Sequence, residues 1–221
     1  MMSVTVDSKS ASADGSFTSK SLTWSLCMLA LVAGSYFVLT NVPQYFVWSE
    51  ATYGFYWPRA GFLLIHILGG LVAIVIGPFQ FSRRIRTAYP KVHRITGRIY
   101  LSSIVIGALG GMIMAATTTR NFVYASGLFS LALAWLLTSG MAFIAIRRRN
   151  FIQHQQWMIR SYVVTFAFVT YRLVFDLMTS FGIQGPERGM LISWACWAVP
   201  LLITELVIQG RQVFAVRPQL K

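Results

Sequence analysis

The chain has 221 residues, 56% hydrophobic and only 11% charged, with a formal net charge of +13. Soluble proteins carry about a quarter charged residues, so this composition excludes an ordinary water-exposed domain and points to the bilayer. The positive charge sits in short segments between apolar runs. That pattern fits basic loops held against anionic headgroups and argues against a nucleic-acid partner. The two cysteines, Cys27 and Cys196, lie inside apolar runs without a CxxC pair, so neither a disulfide framework nor a zinc site is indicated.

Residues 1–20 are rich in Ser, Thr, Ala and Asp and read as a disordered cytoplasmic tail. A membrane helix needs about 20 mostly apolar residues, and six stretches qualify: 22–41, 60–81, 98–118, 122–146, 157–180 and 190–211. The first is long and leads into no small-x-small cleavage site, which favours a retained helix over a signal peptide. The fold expected is an all-α integral membrane protein, a bundle of six transmembrane helices. It divides into the tail 1–20, a first helix 21–41, an outer loop 42–59, a five-helix domain 60–211 and a tail 212–221.

The outer loop contains Tyr45, Phe46, Trp48, Tyr53, Phe55, Tyr56 and Trp57. Such density suits a segment lying in the membrane interface, a ligand-gripping lid being the alternative. Gly77-Pro78 should kink the second helix or end it early, and Pro200 should kink the sixth. Gly107 and Gly111 form a GxxxG spacing that permits close helix approach.

Orientation follows from the basic residues. The connections on one side, with the two tails, collect 15 Lys and Arg, while the other side has Arg59, Arg120 and Arg188. By the positive-inside rule both termini are cytoplasmic in a multi-pass protein of the plasma membrane.

Ionisable residues inside spans are costly and mark cavities or partners. At 1.5 Å per residue His66 lies about 9 Å below the outer boundary and Arg172 about 12 Å. Asp176 follows Arg172 at i+4 on the same face. His66, Arg172 and Asp176 are therefore a candidate intramembrane cluster. Glu205 lies near the inner boundary with Arg160 as its expected partner. His93 and His154 mark the inner ends of the third and fifth spans. Each of these two ends carries a basic run, a histidine and an Arg-x-Tyr string, which hints at a duplicated two-helix unit.

The strings HILGG from His66, GPFQF from Gly77, HRITGRIY from His93 and WMIRSY from Trp157, with Arg172 downstream, resemble a bacterial and fungal family of predicted membrane proteins catalogued as domain of unknown function 2306. The resemblance covers about residues 60–210. It implies a polytopic membrane protein and assigns no substrate or catalytic residue.

Three functions compete. The first is a redox protein with b-type haem, whose iron needs axial ligands such as His or Met. His93 and His154 could form one pair, and His66 could pair with Met112, Met114 or Met178. The second is a transporter or channel for a small solute or proton at the His66 cluster, with a homodimer expected in order to enclose a path. The third is an accessory subunit of a larger membrane complex. No P-loop, GxSxG, HExxH or Rossmann fingerprint is present.

Overall fold

The computed structural model describes residues 31–214. Among them every regular element is helical. Residues 31–41 are helical, and short turns follow at Pro43–Phe46, Glu50–Tyr53 and Gly54–Arg59. Then come α1 (Ala60–Phe81), the short α2 (Arg83–Ala88), α3 (Pro90–Ala116), α4 (Phe122–Arg147), α5 (Phe151–Thr165), α6 (Ala167–Ser180) and α7 (Pro186–Phe214). The run Glu50–Phe81 and helices α3, α4 and α7 are each long and apolar enough to cross a membrane. Helices α5 and α6 make a fifth span if taken together, bent by 40°. The expected tail 1–20, Cys27, the start of the first span and most of the C-terminal tail lie outside the described residues. The bundle has an aromatic end, where residues 42–59 lie, and a basic end, formed by α2 and the α4–α5 turn.

Helix boundaries move outward from those expected. Pro90 opens α3, where its missing N–H costs nothing, so His93, Arg94 and Arg98 ride on the helix instead of a loop. Asn150 caps α5 by accepting from the Gln153 N–H, which puts His154 in its first turn.

The second helix also does not end at Gly77-Pro78. It continues to Phe81, and the reason lies on another helix. Proline at position 78 leaves the Ile74 carbonyl, four residues back, without its helical donor. Tyr162 of α5 fills the gap, its hydroxyl donating to the Ile74 carbonyl at 3.2 Å. Gly77 makes room for it, since a Cβ there would collide with the Tyr162 ring.

Helices α1 and α3 touch backbone to backbone. A Cβ on Gly69 would lie 2.6 Å from the Ser103 carbonyl oxygen and 2.7 Å from the Gly107 Cα. Small residues allow this approach, which is how membrane helices gain van der Waals contact without a hydrophobic driving force.

A buried polar hub joins α3, α4 and α5. The Tyr100 hydroxyl bonds those of Ser161 (2.9 Å) and Thr165 (3.2 Å), and Ser139 bonds Ser161 (2.8 Å). The Trp135 indole N–H donates to the Thr165 hydroxyl at 2.9 Å. Tyr100 and Ser161 are fully buried, so the hub satisfies groups that lipid could not. The two Arg-x-Tyr strings thus do unlike work. Tyr100 anchors the hub, whereas Tyr162 patches a proline gap.

A Tyr162→Phe substitution should destabilise the protein by about 1–3 kcal/mol, the cost of an orphaned buried carbonyl. Adding Pro78→Ala restores the missing N–H and should recover most of that loss. Unfolding titrations of the two single variants and the double variant in mixed micelles would show the coupling, and strictly additive losses would contradict it.

Candidate functional site

At the aromatic end α1, α3, α4, the bent α5–α6 pair and residues 37–45 enclose a cavity of about 360 Å³. Its walls are mostly apolar, aliphatic side chains interspersed with the aromatics Tyr45, Tyr56, Tyr124, Trp135, Phe168 and Tyr171, and its polar side chains include His66, Thr165 and Arg172.

His66 is placed by the glycine contact. One turn before Gly69, it faces α3, and its Nδ1 lies 2.8 Å from the Gly107 carbonyl oxygen. A carbonyl only accepts, so Nδ1 carries the proton and, in the neutral ring, Nε2 is left as an acceptor. No partner for Nε2 is found among the described residues. Gly111 seats the ring, since a Cβ there would lie 2.9 Å from Nδ1. Trp135 and Phe168 meet the ring edge-on, with centroids at 6.3 and 5.4 Å.

On the cavity wall the Tyr124 hydroxyl also lies near those of Tyr56 and Tyr171. Phenols both donate and accept, so the three form an adjustable polar face on an apolar wall.

The aromatic-rich residues 42–59 roof the cavity. Ser49 caps its central turn by accepting from the Thr52 N–H. Tyr53, 2% exposed, donates from its hydroxyl to the Tyr45 carbonyl at 2.7 Å and packs edge-on against the Tyr45 ring. On the other flank Phe55 is held between the guanidinium groups of Arg59 (4.9 Å) and Arg120 (4.8 Å). Arg59 also donates to the Thr117 carbonyl at 2.7 Å. Tyr45 itself turns into the cavity. Burial raises its phenol above the ordinary value, and Tyr56 adds to this while the nearby Arg172 charge works against it.

The expected cluster of His66, Arg172 and Asp176 is only partly assembled. His66 and Arg172 line one cavity. Asp176 pairs with Arg172, Nε to Oδ2 3.0 Å, but stays off the cavity wall. Both side chains of that pair are about half exposed, at 51% and 54%, and neither bonds His66.

At the basic end Arg160 meets Glu205, with Nη2 and Nε at 2.5 and 2.7 Å from one carboxylate oxygen. Trp157 lies against the guanidinium at 4.7 Å. The Arg160 side chain is 7% exposed and that of Glu205 40%. Arg160 Nη1 is buried without a hydrogen-bond partner.

His154 donates from Nδ1 to the Ala142 carbonyl at 2.8 Å, while Nδ1 of the neighbouring His93 is buried and unbonded. Neither lines the cavity, so His66 stands apart from them. Among the described residues no group of three or more His, Cys, Asp and Glu is placed to hold a metal ion.

Sequence reasoning reached Tyr45 and Tyr56 only through the alternative of a ligand-gripping lid, and missed Tyr124, Tyr171, Trp135 and Thr165 as cavity residues. Tyrosine and tryptophan near span ends read first as interface anchors, and only the GxxxG spacing pointed toward this helix pair. Residues 63–208 match the family described as "Predicted membrane protein (DUF2306)". No curated protein and no solved structure matches the chain.

The two ion pairs should differ in weight. Glu205→Ala strands a buried guanidinium, and with Glu205 itself partly solvated the expected loss is about 2 kcal/mol. Asp176→Ala breaks an exposed i,i+4 pair worth about 0.3–0.5 kcal/mol. Unfolding titrations of the two variants in mixed micelles should separate them, and equal losses would contradict this ranking.

Proposed function

The chain belongs to the DUF2306 family of predicted membrane proteins, and from that premise we propose that it binds a small, mostly apolar solute and passes it into or across the membrane. The carrying observation is His66: its Nδ1 proton is committed to Gly107, and its second nitrogen sits on the wall of an aromatic cavity. A volume of about 360 Å³ falls within the usual range of small-molecule sites, which are apolar with a few placed polar groups. Arg172 and the Tyr56–Tyr124–Tyr171 face supply donors at the roof side. His66 supplies an acceptor at depth, able to take a hydrogen bond or a proton from the solute.

In this reading the protein is a multi-pass protein of the plasma membrane with both termini in the cytoplasm. The cavity opens toward the outer leaflet, and the basic loops rest on anionic headgroups.

A second reading, b-type haem redox, is favoured by the same tether, because metal-bound histidines usually donate their other N–H to a carbonyl or carboxylate. Met114 lines the same cavity and is the available second ligand.

Protein purified in native lipid discs should yield one co-extracted small molecule by mass spectrometry. It should be lost from His66→Ala and kept in His154→Ala. If extracts of the wild type and His66→Ala do not differ, the solute site is refuted. A Soret band that vanishes in His66→Ala would assign the cavity to haem instead.

A further inference from the structure

A second hollow lies beside the cavity, between the helical residues 31–39, the end of α1 and the α5–α6 bend. It is an open crevice, lined by Gly34, Ser35, Val75, Pro78, Tyr162 and Phe166 among others. Val38 and Ile74 belong to both linings, so the two hollows meet across one pair of aliphatic side chains.

The crevice opens on an apolar part of the bundle surface. Val75 and Phe79 on its rim are half exposed, and among the described residues no charged side chain lines it. Its back wall is built from features already tied together. Tyr162 reaches Ile74 to patch the Pro78 gap, Phe166 packs edge-on against Tyr162 at 5.1 Å, and Gly34 lies so close that its Cβ would be 3.2 Å from the Phe166 ring. The chain bends by 40° at this point.

We propose that this crevice is a lateral portal. Through it the cavity exchanges a lipid-dissolved aromatic alcohol, of the phenol or naphthol class, with the hydrocarbon phase. The inference rests on the solute-binding reading above and names its substrate class and entrance. The class follows from the polar atoms. Neutral His66 with Nδ1 committed to Gly107 can only accept at Nε2, so the ligand must bring a donor to that depth. The aromatic walls accept a ring. A water-borne solute would have no use for an apolar side passage, whereas a membrane-dissolved one reaches it without leaving lipid.

The test uses the full chain in lipid nanodiscs with a decyl-substituted naphthol as probe, followed by energy transfer from the protein's tryptophans, of which Trp135 lies on the cavity wall. Saturable binding is expected. The methyl ether of the probe, which cannot donate, should bind about tenfold more weakly, as the loss of one buried hydrogen bond implies. Ser35→Phe fills the portal from a position that lines the crevice and not the cavity. It should slow association and dissociation together by about tenfold while leaving Kd within about twofold, because a blocked passage changes rates and not the equilibrium. Phe166→Ala widens the portal and should speed both rates.

Unchanged rates in both variants, with binding intact, overturn the portal and leave the cavity standing. Equal affinity for the ether overturns the alcohol class. Absence of saturable naphthol binding overturns the whole inference, while a His66-dependent molecule co-extracted from the purified protein would still uphold the solute site.

Discussion

The position of His66 depends on a contact that contains no side chain. Gly69 on α1 and Gly107 on α3 bring two backbones together, and at that spacing the imidazole of His66 reaches the Gly107 carbonyl. A single methyl at Gly69 would push the helices apart, because its nearest neighbours are backbone atoms with no rotamer to change. Gly111, one turn along α3, leaves the ring its space. Structure and site are the same interaction seen from two sides: the closeness that packs the helices also aims the histidine.

The rest of the bundle solves a problem peculiar to lipid, where a backbone or hydroxyl group without a partner has no water to fall back on. Pro78 creates such a group at Ile74, and Tyr162 removes it. Tyr100, Ser161, Thr165, Ser139 and Trp135 satisfy one another across three helices. Thr165 and Trp135 belong to this hub and to the cavity wall at once. The floor of the cavity is therefore held in place by the same bonds that hold α4 to α5.

Much of this is legible in the sequence, and the limits have physical causes. Long apolar runs announce membrane helices because burial in lipid needs length and little else, so the helical architecture can be read directly. Arg160 and Glu205 can be matched by depth, since two ionisable groups inside a bundle constrain each other strongly. Asp176 looks like a cavity residue in the sequence and is not one, because i+4 spacing fixes its distance to Arg172 but not which way the pair faces. The apolar run 60–81 gives the full length of α1, but whether Pro78 ends that helix early is not decided locally, since the group that compensates for it is a tyrosine 84 positions later in the chain. The tyrosines of the cavity cannot be told from interface anchors, because an aromatic ring with one polar tip serves both places.

The roof over the cavity is fastened unevenly. Phe55 between two arginines, and Arg59 on the Thr117 carbonyl, pin it to the turn between α3 and α4. Toward α6 it is held by Tyr45, whose own anchor, the hydroxyl of Tyr53, comes from within the roof. The two flanks of the roof are thus fastened by different chemistry: cations against an aromatic ring beside α3 and α4, and the phenols Tyr45, Tyr53 and Tyr56 on the flank facing Arg172 and Tyr171.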